Sequence, residues 1–326
     1  MPKFIQSPAK MLTAVRRISH LVHVFGPVPS RRLGKSLGVN NIPFKHCSYS
    51  CVYCQIGRTD KLTVSRRKFF DPVAIFREVE KKIEKAGKVD YISFVPDGEP
   101  TLDVNLGVEI DMLKNFGKIA VITNASLLFR EDVRCDLSKA DLVSLKVDAV
   151  EENTWRRINR PHSSLDIEKI LDGVLKFADD YDGILLTETM LIEGYSTLEN
   201  IEKVAEFLGI LKPHKAYLAI PTRPPAENVK GVSIDFILKA KQIFDIYVES
   251  ELLIEPESSE FTINSREDIL SIASVHPLRK DILKKYLKKL NLRIEDFVNE
   301  LEEIEFNGIK YYRSKQKNLR KTTTNR

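Results

Sequence analysis

Short apolar runs alternate with amphipathic runs along most of this chain of 326 residues. Six apolar runs have the length and composition of buried strands: residues 37–42, 91–95, 119–123, 142–147, 184–191 and 216–220. Helical patterns lie between them, one beginning at Asp71-Pro72 and others covering residues 165–178, 198–208 and 234–244. Strands that alternate with helices form parallel sheets, so the pattern predicts an α/β fold whose sheet is curled or flat.

The pattern changes after a break near residue 256. Helices are expected around residues 266–273, 279–290 and 294–301, followed by a hairpin closed by Asn307-Gly308. The expected register pairs Phe306 with Ile309, Glu305 with Lys310 and Ile304 with Tyr311. Three helices and a two-stranded wing predict a small winged-helix-like α+β domain over residues 263–314. Its third helix is acidic, which disfavours reading of duplex DNA and leaves substrate docking, RNA-backbone contact or a structural cap.

Three of the four cysteines fall within eight residues, at Cys47, Cys51 and Cys54. Structural zinc generally takes four protein ligands, and His46 is poorly spaced to be the fourth. A [4Fe–4S] cluster held by only three thiolates keeps one iron open to another ligand. The spacing therefore favours a reactive cluster over a structural zinc, and Cys135 is read as an unpaired thiol.

Charge and composition indicate the class of protein and its surroundings. Residues 1–59 contain nine Lys or Arg and no acid, and the last twelve residues contain five Lys or Arg and no acid. We therefore separate a basic N-terminal segment (1–25) and a basic tail (315–326) from the folded part. Basic ends suit a polyanion such as RNA, or they simply aid solubility. No apolar run approaches the ~20 residues of a membrane helix, and clustered thiols indicate the reducing cytoplasm. We expect a monomer.

The C-x3-C-x2-C spacing, with Tyr53 just before the third thiol, resembles the signature of the radical SAM superfamily. This resemblance implies that the three cysteines hold one [4Fe–4S] cluster whose open iron binds S-adenosylmethionine (SAM). It further implies reductive cleavage of SAM to a 5′-deoxyadenosyl radical, with an electron donor of the ferredoxin or flavodoxin type. The corresponding fold is a partial (β/α)6 TIM-like barrel, here over residues 26–262, and Tyr53 would lie near the adenine.

Polar residues follow successive predicted strands, where ligands of α/β barrels bind. The family's Gly-Gly-Glu motif resembles Asp97-Gly98-Glu99, which implies that Gly98 and Glu99 bind the methionyl ammonium, although Asp97 replaces the first glycine. Asn124 ends the third strand much as in the family. Residues 144–148 are similar to fourth-strand residues that bind the ribose and carboxylate, implying that role for Ser144 and Asp148.

The substrate is indicated less directly. Arg31 and Arg32 precede the first predicted strand and Arg223 follows the sixth, so all three are expected at the barrel mouth, where arginines suit phosphate or carboxylate. Residues 26–34 and 274–279 resemble a subgroup placed with the wyosine-synthetase-like enzymes that modify tRNA. Cys135 alone cannot hold the second cluster of the tRNA enzyme. The favoured substrate is tRNA, other RNA or a phosphate-bearing molecule. The alternatives are a peptide-modifying radical SAM enzyme and a zinc-bearing nucleic-acid-binding protein.

Overall fold

The core of the molecule is one eight-stranded sheet in a computed structural model that describes residues 23–253 and 261–315. The strands up to residue 253 are β1 (Val24–Ser30), β2 (Gly34–Val39), β3 (His46–Cys47), β4 (Lys61–Leu62), β5 (Tyr91–Phe94), β6 (Ile119–Thr123), β7 (Leu142–Lys146), β8 (Ile184–Met190), β9 (Lys215–Ala219) and β10 (Ser250–Leu252). All except β3 and β4 lie in this sheet, in chain order. Only β1 is antiparallel to its neighbour.

Helices follow the parallel strands, as the alternating pattern predicts. They are α1 (Pro72–Ala86), α2 (Leu106–Leu113), α3 (Glu131–Leu137), α4 (Glu152–Asn159), α5 (Ile167–Asp180), α6 (Leu198–Leu211) and α7 (Ile234–Tyr247). The predicted start at Asp71-Pro72 is confirmed, because the Asp71 side chain accepts the backbone N–H of Val73. All six predicted strands are present, although the first begins and ends three residues earlier. The sequence patterns did not predict β1, β10 or the short helices α2, α3 and α4.

The two faces of the sheet carry different side chains. One face packs against the helices in a large apolar cluster that includes Val121, Val143 and Leu218. On the opposite face a smaller apolar cluster contains Ala120, Leu142 and other strand residues. Polar residues of the site described below share that opposite face. In the described part of the chain, no helix has the length and apolarity to cross a membrane.

The C-terminal unit spans residues 261–315 and has its own apolar cluster. Its elements are α8 (Arg266–Val275), β11 (Leu278–Arg279), α9 (Lys280–Lys289), a 3₁₀ turn (Ile294–Phe297), β12 (Leu301–Phe306) and β13 (Ile309–Ser314), and its antiparallel strands have the order β11-β13-β12. The predicted hairpin register is confirmed at all three pairs. Positive φ angles of 49° at Asn307 and 74° at Gly308 form the tight turn.

The predicted third helix at residues 294–301 is wrong, because only one 3₁₀ turn forms there. Two contacts close this turn: Asp296 accepts the backbone N–H of Arg293, and Arg266 donates to the Asp296 carbonyl. Leu301 then pairs with Ser314 as the first residue of β12. Strand pairing therefore takes Leu301, the last residue of the predicted helix, and residues 298–300 form a turn.

Candidate functional site

Cys47 is the last residue of β3, and Cys51 and Cys54 lie on the loop between β3 and β4, so the segment is called the cysteine loop. Lys45, just before β3, has hydrogen bonds to both sides of this loop. Its backbone N–H donates to the backbone carbonyl of Asp97 at 2.9 Å, and its own carbonyl accepts the backbone N–H of Lys61 at 3.0 Å. Its side chain is buried and donates to the carbonyl of Gly57. One residue thus fixes both ends of the cysteine loop against the carboxyl end of β5.

Side-chain amides from other elements approach two of the thiols. Asn124 Nδ2 lies 3.5 Å from Cys47 Sγ, and Asn159 Nδ2, at the end of α4, lies 3.5 Å from Cys51 Sγ. All three thiols of the loop are partly buried. Hydrogen bonds to sulfur stabilise a thiolate and adjust the reduction potential of a cluster bound through it.

Burial is the main electrostatic influence on these thiols. It raises the pKa of Cys47 well above its ordinary value, and nearby Glu99 adds to the rise. Burial, and next the charge of Asp148, raise the pKa of the Cys51 thiol to about 12. Thiolates are therefore unfavourable here without added positive charge, which bound iron would supply.

His46 is not positioned as a fourth ligand. Its Nδ1 lies 3.3 Å from the Phe44 carbonyl and its Nε2 lies 3.0 Å from a guanidinium nitrogen of Arg67. In the described ranges, no three His, Cys, Asp or Glu side chains gather closely enough to hold one metal ion. A cube takes each thiolate on a different iron, so its ligands need not meet at one point.

Gly98 brings the end of β5 against the cysteine loop. A Cβ at this position would lie 1.7 Å from the carbonyl oxygen of His46, and the backbone N–H of Glu99 donates to that oxygen at 3.0 Å. Only glycine allows so close a backbone approach. The Gly-Glu pair is therefore built against the residue that precedes Cys47.

The buried carboxylate of Glu99 joins the ends of β5 and β6. Its Oε1 accepts from the backbone N–H and hydroxyl of Thr101 and from the hydroxyl of Thr123, whereas Oε2 accepts the backbone N–H of Asn124 at 2.8 Å. Burial raises the pKa of Glu99, and these hydrogen bonds oppose the rise. A carboxylate oxygen accepts about two hydrogen bonds, so Oε2 retains capacity for a further donor such as an ammonium.

Asp148 anchors Tyr53 beside the loop. The Tyr53 hydroxyl donates to Asp148 Oδ2, which also accepts from Asn159 at 2.6 Å. Its other oxygen accepts the backbone N–H of Met190 at 2.9 Å. The Lys146 ammonium lies 4.8 Å from the centre of the Tyr53 ring. These contacts fix the ring's position next to Cys54.

Arg32, which the sequence assigned to substrate, pairs with groups of the sheet. Its guanidinium contacts Glu188 and donates to Ser144 at 3.0 Å, while Lys146 donates to Glu188 at 2.7 Å. Burial alone would raise the pKa of Glu188, but Arg32 and Lys146 hold it well below its ordinary range. Arg32 thus belongs to a balanced charge network that continues to Asp148.

The three predicted arginines line one cavity of about 150 Å³. It lies between the sheet, the segment after Cys54 and the C-terminal unit, and His276 also lines it. Arg31 donates to the Leu253 carbonyl at 3.1 Å, and Arg223 donates to Gln55 at 3.3 Å. The three arginines thus lie together, and their assignment to a substrate stays a prediction.

Sequence reasoning assigned no role to several residues of this site: Lys45, Gln55, Lys146, Asn159, Glu188 and His276. Two of them carried a usable signal, since Lys146 lies between Ser144 and Asp148 and Glu188 is a charge inside an apolar strand. No sequence pattern indicated Asn159, because Cys51, which it contacts, lies 108 positions away in the sequence. Cys135 lies on α3, far from the loop cysteines in sequence. It is exposed, whereas the loop cysteines are partly buried.

Comparison with known proteins identifies the family. The family model for the radical SAM superfamily matches residues 41–208, which include the cysteine loop and the strand ends described above. The chain belongs to the radical SAM superfamily. It is 49% identical over 316 residues to a UPF0026 protein of Methanocaldococcus jannaschii, covering 92% of this chain and 98% of that protein.

Solved structures share the fold at low identity. A radical SAM methyltransferase from Sphaerobacter thermophilus aligns with a TM-score of 0.51 and 17% identity, over 67% of this chain and 66% of that one. SuiB of Streptococcus suis, bound to precursor peptide SuiA, aligns with a TM-score of 0.51 and 13% identity, over 77% and 56% of the two chains. Superfamily membership makes this protein an iron–sulfur radical SAM enzyme whose specific reaction is unassigned.

Proposed function

We propose that Cys47, Cys51 and Cys54 hold one [4Fe–4S] cluster and that the neighbouring strand ends bind SAM. The observation that carries the proposal is the position of Asn124, whose amide contacts Cys47 and whose backbone N–H binds Glu99. One residue therefore joins the expected cluster loop to the expected ammonium site. The N–H groups aimed at two thiols, and the burial that disfavours bare thiolates, fit a bound iron cluster.

The chemistry that this pair of cofactors supplies when bound is reductive cleavage of SAM to a 5′-deoxyadenosyl radical. The chain's residues bind and orient. Glu99 Oε2 would accept the methionyl ammonium, and Gly98 would let the backbone approach it. Asp148 holds Tyr53 in place for contact with the adenine, and Ser144 lies on the same face for the ribose or carboxylate. Apolar strand residues on that face limit the entry of water.

The finer architecture forms part of the proposal. We take the sheet as a partial (β/α)6 barrel over residues 26–262 and the C-terminal unit over 263–314 as a winged helix, between the basic segments 1–25 and 315–326. The order α8, β11, α9, 3₁₀ turn, β12, β13 supports the winged-helix assignment, with the third helix shortened to one turn. We expect a cytoplasmic monomer that takes electrons from a ferredoxin or flavodoxin.

We further propose a substrate that is RNA or another phosphate-bearing molecule, as in the wyosine-synthetase-like subgroup. The arginines around the cavity support this class. Peptide modification is the alternative enzyme function. The likeness to SuiB, whose structure holds a precursor peptide, concerns the fold alone at 13% identity.

The test is anaerobic reconstitution followed by measurement of metal content and SAM cleavage. We expect about four iron and four sulfide per chain, and 5′-deoxyadenosine formation with dithionite. Cys51→Ala should lose the cluster and the product, whereas Cys135→Ala, at an exposed cysteine on α3, should retain both. One tightly bound zinc with no iron or sulfide would refute the proposal, as would product formation by Cys51→Ala.

A further inference from the structure

The cavity beside Gln55 is enclosed by three separate parts of the chain. Arg31 comes from the turn between β1 and β2, Arg223 from the segment after β9, and His276 from the segment after α8. The C-terminal unit therefore forms part of the cavity wall. This placement gives the unit a direct part in the site, beyond packing on the outside of the sheet.

Gln55 links the C-terminal unit to the core at this point. Its side-chain N–H donates to the carbonyl of Val275 at 2.9 Å, and its side-chain oxygen accepts from Arg223 at 3.3 Å. One amide therefore fixes Arg223 and the residue before His276 relative to each other. Gln55 directly follows Cys54, so the cavity adjoins the cysteine loop.

Arg31 and Arg223 both bring guanidinium groups to the wall of the cavity. Of the described residues that line it, none is Asp or Glu. Arg32 also lines it and is paired with Glu188. Burial, and next the charges of Arg223 and Arg31, hold the pKa of His276 well below its usual range. Its ring packs edge-on against Phe261, with the ring centres 5.2 Å apart.

The size of the cavity limits what enters. Pockets that enclose whole drug-sized ligands are about 300–1,000 Å³, so a cavity of about 150 Å³ admits one small group of a larger substrate. Guanidinium groups match the geometry of phosphate oxygens, and a neutral imidazole adds one donor or acceptor.

We propose that this cavity binds a phosphate group of the substrate through Arg31, Arg223 and His276. His276 is then a substrate-contacting residue supplied by the C-terminal unit. The assignment of the phosphate to a substrate rests on the proposed function, but phosphate binding itself is measured separately.

The experiment is calorimetric titration of the full-length, cluster-loaded protein with inorganic phosphate and, in parallel, with acetate at equal ionic strength. We expect saturable phosphate binding that weakens about tenfold or more in Arg223→Gln and in His276→Leu. His276→Gln keeps an N–H donor and should retain part of the affinity. Arg157→Gln is the matched control, because Arg157 is an exposed arginine that donates to the Gly194 carbonyl.

Absence of saturable phosphate binding, or equal binding of acetate, would overturn the proposal. Unchanged phosphate affinity in folded His276→Leu would show that the C-terminal unit does not contact the phosphate through His276. Melting curves accompany each variant, and Arg223→Lys, which keeps the charge but loses the planar fork, replaces Arg223→Gln if that variant unfolds. Iron content and 5′-deoxyadenosine formation are measured on the same wild-type sample, so loss of phosphate binding alone is distinguishable from failure of the proposed function.

Discussion

Asn124 Nδ2 lies 3.5 Å from the Sγ of Cys47 and 2.9 Å from the hydroxyl of Ser48. The contact joins the end of β6 to a loop that is 77 positions away in sequence. Because the backbone N–H of Asn124 also donates to Glu99, one residue contacts both the cysteine loop and this carboxylate.

Glu99→Gln should weaken SAM binding. The substitution removes the charge that would meet the methionyl ammonium, and a charge-assisted hydrogen bond is worth roughly 1.5–3 kcal/mol, or about 10- to 150-fold. We expect the KM for SAM to rise by about that factor, measured through 5′-deoxyadenosine formation. Iron content should stay near the wild-type value. Glu80→Gln, at an exposed position on α1, is the control, and an unchanged KM in Glu99→Gln would contradict the assignment.

Gly98→Ala should impair cluster assembly. The added Cβ would lie 1.7 Å from the His46 carbonyl, so the end of β5 and the start of the cysteine loop must separate. We expect clearly lower iron and sulfide per chain after anaerobic reconstitution. Gly209→Ala on α6, where the nearest neighbour is the Tyr247 Cβ at 3.3 Å, should load normally. Normal loading in both variants would show that the close approach at Gly98 is unnecessary.

Tyr53→Phe should reduce stability more than an equivalent change at the surface. It removes a hydrogen bond to the buried Asp148, worth roughly 1.5–3 kcal/mol. Tyr312→Phe removes the same kind of bond to the more exposed Glu303, where water competes for the carboxylate, and should cost clearly less. Urea unfolding of both variants measures the two losses of stability. Equal losses would contradict a stronger hydrogen bond at the buried Asp148.

Glu109→Gln should change how stability depends on pH. Burial, and next the charge of Asp103, raise the pKa of Glu109 from 4.5 to about 8. The folded state therefore holds this proton more tightly than the unfolded state, and the associated stability is lost as pH rises from about 4.5 to about 8. The loss is of the order of 1.4 kcal/mol per pH unit in that window.

The Gln variant should remove that part of the slope and be the more stable protein at pH 9. Urea unfolding at pH 5, 7 and 9 measures the difference, with Glu80→Gln again as the exposed control. A difference between wild type and Glu109→Gln that is constant with pH would contradict the raised pKa.

The sequence predicted the parts of this fold that local patterns specify. Period and composition located the six central strands, and the Asn307-Gly308 turn determined the hairpin register. The pattern failed at residues 294–301, where helical spacing was present but pairing of Leu301 with Ser314 prevailed. Edge strands β1 and β10 were also missed, since neither has a long apolar run.

The candidate site also has parts that the sequence predicted and parts that it did not. The order of the strand ends suggested that Glu99 and Asn124 would be neighbours, because parallel strands bring their carboxyl ends to one edge of the sheet, and the two residues are hydrogen-bonded. The pairing of Arg32 with Glu188 was not predictable, because it joins residues 156 positions apart across the sheet. A local pattern shows that an arginine is present but not which carboxylate will neutralise it.

The contacts of Asn124 and Asn159 with the thiols also bear on the order of assembly. These amides belong to residues 77 and 108 positions beyond the cysteines that they contact, so they arrive only when β6 and α4 have docked. Small zinc domains use their metal to nucleate folding. Here we expect the reverse sequence of events, in which the polypeptide completes its architecture first and the inorganic component is loaded into a frame that already exists.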